Sequence, residues 1–176
     1  MSVEVRTSSG RHIGIDEALS RVLDAVRGLR GTSKKAMFIG NGGSAAIAGH
    51  QAIDWTKNAG VRSVAFNDGP TLTCFGNDYG YEHVFARAVE LYGMNGDVLF
   101  AISSSGKSPN ILNGVESAKK IGCLVFTFGG FSSTAPLLDT GDLNFYVDSN
   151  EYGPVEVAHQ ALLHYITDNL CSDKRG

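Results

Sequence analysis

The sequence predicts a three-layer α/β/α sandwich built on a five-stranded parallel sheet. Three observations carry that prediction. Five short, continuously apolar runs alternate with helix-like stretches, and small-residue turns follow the first and third of them. Glycine is abundant, at 22 of 176 residues, while proline is scarce at 4, which suits many tight strand-to-helix turns and not a plain helix bundle. Runs that are apolar throughout need cover on both faces, and right-handed crossovers then give the layered sandwich.

Residues 1–14 are polar and without period, so they are expected to be loosely ordered, with one domain over 15–176. Ile15, Ala18, Leu19, Val22, Leu23 and Val26 recur at helical spacing, and Gly31 is a natural stop for that first helix. It precedes the five runs, so its apolar face must pack either on the chain's own sheet or on a second subunit; it has no obvious cover in a lone sandwich, which favours an oligomer. The five runs are 36–40, 62–66, 97–103, 123–128 and 143–147. Helices are expected over 44–58, 82–92, 108–121, 134–138 and 153–170, and the polar segments 67–68 and 76–80 read as turns.

Composition removes several function classes. With 15 Lys+Arg against 18 Asp+Glu the formal charge is −3, which excludes a general coat for nucleic acid. No apolar run approaches the ~20 residues of a membrane span, and the first residues carry no apolar signal core. Cys74, Cys123 and Cys171 form no CxxC pair, so reduced thiols and a cytoplasmic location are expected.

In sheets of this kind ligands bind at the carboxyl ends of the strands. Two loops there carry chemistry. Ser103, Ser104, Ser105 and Ser108 surround Gly106 where the third run meets a helix; hydroxyls and unpaired amides at a positive helix end suit a phosphate. The plainer alternative is a serine-rich loop with Ser108 as helix cap. Asn41, Gly42, Gly43 and Ser44 repeat the placement after the first run. The GxxxxGK[ST] pattern is absent, so no nucleotide cofactor is expected. His50 and Asp54 are at i and i+4 on one helix, and Glu156, Gln160 and His164 follow at i+4 steps on another. Imidazoles and carboxylates so paired suit proton transfer or a metal such as zinc; taken singly, each is as well explained by an ordinary solvated or satisfied side chain.

The segments IGNGGSAAIAGH, NDGPTLTCFGNDYGY, GDVLFAISSSGKSPNI and EVAHQALLHYI resemble the sugar isomerase (SIS) domain, with its flavodoxin-like sandwich, and within it the phosphoheptose isomerase branch. The resemblance spans residues 15–170. It implies an aldose–ketose isomerase that interconverts sedoheptulose 7-phosphate and D-glycero-D-manno-heptose 7-phosphate through an enediol(ate). The alternatives are a non-catalytic sugar-phosphate-binding or scaffold protein, or an isomerase of another phosphosugar. Carried over by position, Asn41, Gly42, Gly43, Ser44, Asn67, Asp68, Ser103, Ser104, Ser105 and Ser108 bind substrate. His50, Asp54, Glu156 and His164 hold zinc, with Asp54 and His164 as the acid–base pair. Asp54 stands where the family has Glu, and Glu156 where it has Gln. The resemblance also implies a homotetramer, with neither nucleic acid nor membrane as partner.

Overall fold

The computed structural model describes residues 2–173. Five parallel strands form as the apolar runs predict: β3 (Ala36–Gly40), β4 (Ser63–Ala65), β5 (Val98–Ser103), β6 (Leu124–Gly129) and β7 (Leu143–Val147). Two further strands were not expected. Residues within 1–14 form β1 (Val3–Thr7) and β2 (His12–Ile13), an antiparallel hairpin that pairs with β7. The expectation of a loose N-terminal segment is therefore corrected. Val3, Val5 and Thr7 alternate with Glu4 and Arg6, the period of a half-buried strand, and Val5 is buried. The full sheet order is β2-β1-β7-β6-β5-β3-β4.

Side chains alternate between the two faces of β3 and β5, and two cores result. Phe38, Phe100 and Phe126 stand in register across three strands on one face, with Phe38 stacked on Phe100 at 4.9 Å. The helices α1 (Ile15–Arg27), α2 (Gly43–Asp54) and α6 (Tyr152–Ser172) cover that face. Met37, Ile39, Leu99 and Ala101 point the other way, under α4 (Val84–Tyr92) and α5 (Pro109–Ile121).

The first helix does not wait for a second subunit. Its Leu19, Val22, Leu23 and Val26 are buried in the chain's own core, each contributing roughly 1.5–3 kcal/mol. α2 runs on into a π-helical turn, Trp55–Ala59, which seats the fully buried Trp55 with its Nε1–H donating to Thr167 at 2.8 Å. Residues 76–80 were expected as a turn, but 76–79 close an eleven-residue helix, α3 (Gly69–Tyr79), that starts just after the expected turn at 67–68. Its start is chemical: Asp68 accepts from the Thr71 N–H at 3.0 Å and Pro70 sits in the first turn. None of its residues is buried, so no apolar period announced it.

At the amino ends of β3 and β5, Asp97 is fully buried and accepts from Lys35 Nζ at 2.6 Å and from the Lys35 and Met94 amides at 2.9 Å each. That pair ties the two central strands at the edge remote from the loops described next.

Candidate active site

The chain leaves β3 for β4 on one side and reaches β5 on the other, so the sheet's topological switch point lies between β3 and β5. At their carboxyl ends is a cavity of about 250 Å³. Asn41, Gly42, Gly43 and Ser44 line it from the loop after β3, and Ser103, Ser104, Ser105 and Ser108 from the loop after β5. Tyr152 and Glu156 complete it from the first turns of α6.

Two glycines make the first loop possible. Gly42 adopts φ 55°, ψ −123°, a backbone shape that side chains disfavour. A Cβ on Gly40 would lie 2.5 Å from the carbonyl oxygen of Ser44, so the first turn of α2 presses directly on the strand end. Helix α2 therefore begins at Gly43, and Ser44 lies buried inside its first turn instead of capping it.

The serines are not equivalent. Ser103 Oγ accepts from the Gly106 amide at 3.2 Å and Ser105 Oγ from the Lys107 amide at 3.3 Å. Ser108 precedes α5 but makes no side-chain cap bond. Ser104 Oγ is buried and has no partner among the described residues. A buried hydroxyl without a partner costs about 1–3 kcal/mol, which a ligand oxygen at this place would recover. Among the described residues the lining contains no lysine or arginine, and its one carboxylate is that of Glu156. An anion placed here would meet hydroxyls, the first amides of α2 and the positive helix ends.

The second group of expected residues also assembles. His50 Nε2 lies 3.1 Å from Asp54 Oδ2, and the His50 and His164 rings meet edge-on at 5.1 Å. One ligand atom from each of His50, Asp54 and His164 falls within 4.8 Å of the others. Two imidazole nitrogens and a carboxylate oxygen at that spacing fit a zinc ion by donor type. Within the single chain Glu156 stands apart from the other three residues of the expected ligand set. It is eight residues from His164, about 12 Å along the helix axis. Its carboxylate rests against Gly43, where a Cβ would approach both oxygens to 2.5 Å.

Asn67 and Asp68 also lie outside the serine-lined cavity. The Asn67 amide donates to the Ala45 carbonyl at 2.8 Å, and Asp68 is occupied as the α3 cap, its carboxyl held below the usual range by the Thr71 bonds. Both face a groove beside edge strand β4. Neighbouring His159 faces the core: burial pushes its pKa down to about 4, and its Nε2 bonds the Gly129 carbonyl at 3.2 Å. Tyr152 in the lining was not singled out by the sequence, nor was Asn110 behind it, because neither belongs to a charged or hydroxyl-rich pattern.

The cavity and the imidazole pair share two helices. Both α2 and α6 begin at the cavity, and they pack together. His50 lies seven residues beyond Gly43, about 10 Å along the axis.

The sequence matches the SIS domain family over residues 11–130. The phosphoheptose isomerase of Campylobacter concisus is 34% identical over 171 residues, covering 94% of this chain and 90% of that protein. The chain belongs to the phosphoheptose isomerase family of SIS-domain proteins. A phosphoheptose isomerase from Rhodospirillum rubrum is 37% identical, with 78% of each chain covered. Among solved structures, the phosphoheptose isomerase from Neisseria gonorrhoeae superimposes with a TM-score of 0.79 at 33% identity, covering 88% of this chain and 86% of its own. That from Francisella tularensis gives 0.80 at 27% identity, covering 89% and 86%. In this chain the Glu156 carboxylate stands in the serine-lined cavity, outside the His50–Asp54–His164 cluster.

Proposed function

We propose that this protein is an aldose–ketose isomerase that interconverts sedoheptulose 7-phosphate and D-glycero-D-manno-heptose 7-phosphate. The observation that carries the proposal is the unpartnered Ser104 hydroxyl in a serine-lined cavity at the sheet's switch point, with an imidazole–carboxylate cluster farther along the same two helices. A phosphate gripped by Ser44, Ser104, Ser108 and the amides of Gly43 and Ser44 anchors one end of the sugar. The axial offset of about 10 Å suits an extended chain of six or seven carbons, with bonds of about 1.5 Å shortened by their zigzag. Anchoring that remote group places the carbonyl end at the cluster and removes the entropy of finding it.

At that end, Asp54 takes the proton from the carbon beside the carbonyl, leaving an enediolate, and returns it to the adjacent carbon. His164 moves the hydroxyl proton between the two oxygens. Atoms balance without an external reagent, since one C–H bond breaks and one forms. A zinc ion bound by His50, Asp54 and His164 would supply polarisation of the carbonyl oxygen. Asp54 is a methylene shorter than Glu, and its Oδ2 lies 3.1 Å from His50 Nε2, beside the ring pair.

We propose as well that the protein works as a homotetramer in the cytoplasm. The His50 side chain is 52% exposed, and Ile53, Val157 and Tyr165 on the same two helices expose apolar surface around it. A second copy placed there would exclude water from the reacting end. No described helix is long and apolar enough to cross a membrane. Incubation with sedoheptulose 7-phosphate in deuterated water, followed by proton NMR, tests the proposal. Deuterium is expected at C2 of the aldose product; turnover without solvent deuterium would remove the enediolate, and no turnover would remove the activity.

A further inference from the structure

Behind the anion cavity lies a polar network that the catalytic account does not use. Asn110 is 2% exposed and is the second residue of α5, after Pro109. It exchanges two hydrogen bonds with Asn41: Asn41 Nδ2 donates to Asn110 Oδ1 at 2.9 Å, and Asn110 Nδ2 donates to Asn41 Oδ1 at 3.0 Å. Tyr81 OH adds a third bond, donating to Asn41 Oδ1 at 3.2 Å. Tyr81 follows the Gly76–Gly80 segment, and the backbone of Gly80 at φ +85° turns the chain that presents it.

The direction of every one of these bonds is set by a backbone amide. The Ile111 N–H is shared between Asn110 Oδ1 at 3.0 Å and the Ser108 carbonyl at 3.1 Å, and an amide N–H can only donate. Asn110 must therefore present its oxygen to Ile111 and its NH₂ to the Asn41 oxygen. That oxygen then accepts from both Asn110 and Tyr81, which uses its two lone pairs. One Nδ2 hydrogen is all that Asn41 has left to offer the cavity it lines.

We infer that Asn110 and Tyr81 are positioning residues that fix Asn41 as a hydrogen-bond donor to the bound anion and hold the glycine turn at a set distance from the serine loop. The inference rests on the proposed phosphate role of the cavity. In a cavity without a cationic side chain, donor polarity decides binding: an amide turned the other way would set its oxygen against phosphate oxygens. The bridge also spans the two strands at the switch point, since Asn41 follows β3 and Asn110 lies just beyond β5. Neither residue touches the reacting carbons, so the effect falls on binding and not on the chemical step.

The test is steady-state kinetics with sedoheptulose 7-phosphate, with inorganic phosphate as competitive inhibitor, on the wild-type chain, Tyr81→Phe, Asn110→Ala and the double variant. Tyr81→Phe removes one hydroxyl from a ring that is 56% exposed, so its folding is not in question. It is expected to raise KM and the phosphate inhibition constant together by about threefold, and Asn110→Ala by about tenfold, the scale of one and two lost hydrogen bonds. In both, kcat stays within twofold. The double variant should lose less than the product of the single losses, because both act through one amide. A structural role alone would lower the melting temperature and leave the phosphate constant unmoved, and that result overturns the inference; so does a fall in kcat at constant KM. If the wild-type chain neither turns over the sugar nor is inhibited by phosphate, the role of the cavity itself falls, and this inference with it.

Discussion

His159 makes the stability of the protein depend on pH between about 4 and 6.5. The ring is fully buried against Phe128, 5.9 Å between centroids at 78°, with Nε2 bonded to the Gly129 carbonyl and Nδ1 without a partner among the described residues. Desolvation disfavours the charged imidazole and pushes its pKa from 6.5 to about 4. The unfolded chain therefore binds a proton between these values that the folded chain refuses. The stabilisation is complete above pH 6.5, falls as the pH drops below it, and is exhausted near pH 4. At about 1.4 kcal/mol for each pH unit, the whole loss is about 3 kcal/mol, of which about 2 kcal/mol is gone by pH 5. Urea unfolding of the wild-type chain and His159→Gln across pH 7.5 to 4.5 isolates it. Glutamine keeps a donor for Gly129 and does not titrate, so the two stability curves should converge by about 2 kcal/mol between pH 7.5 and 5 at unchanged denaturant slope. Curves that stay parallel would refute the argument. The consequence reaches the site, because Gly130, next to the bonded carbonyl, donates its amide to the Ser104 carbonyl at 2.9 Å.

Three further outcomes follow from the same geometry. Ser104→Ala should raise KM for the sugar phosphate about tenfold, yet calorimetry should find the free protein no less stable, because the hydroxyl removed has no partner to lose. Gly43→Ala sets a Cβ 2.5 Å from the Glu156 carboxylate oxygens, so the melting temperature it costs should be smaller in an Glu156→Ala background, a coupling of about 0.5–3 kcal/mol. In titration calorimetry zinc should bind once per chain, at least tenfold more weakly in His50→Ala and in His164→Ala, and unchanged in Glu156→Gln; loss in the last variant would return Glu156 to the ligand set.

Much of the site was legible because its residue types sit at strand ends. Apolar runs that stop at GNGGS or SSSGKS declare both the strand and the loop, and i,i+4 spacing alone puts His50 beside Asp54. What escaped was of two kinds. Val3–Thr7 alternates over too few residues to register as a strand until β7 supplies its partner. Helix α3 buries none of its residues, so it rests on the Asp68 cap and not on a pattern. The other kind concerns reach. Stepwise i+4 spacing puts Glu156 and His164 on one face but says nothing about the two turns between them, and only the packing of α6 on the start of α2 shows that the carboxylate ends at Gly43. Asn110 reads as a polar residue on a helix surface; its burial and its bond to Asn41 are long-range facts, 69 residues apart in sequence. The first helix shows the converse: its apolar face suggested a partner subunit, and the hairpin, the sheet and α6 supply the cover within one chain.

A crystal structure with sedoheptulose 7-phosphate bound tests the central claim most directly. The account predicts phosphate oxygens within hydrogen-bond distance of Ser104 Oγ and the Gly43 and Ser44 amides, with C1 and C2 of the same molecule at the His50–His164 pair. A phosphate seated elsewhere, or a sugar whose carbonyl end turns away from both imidazoles, would contradict it.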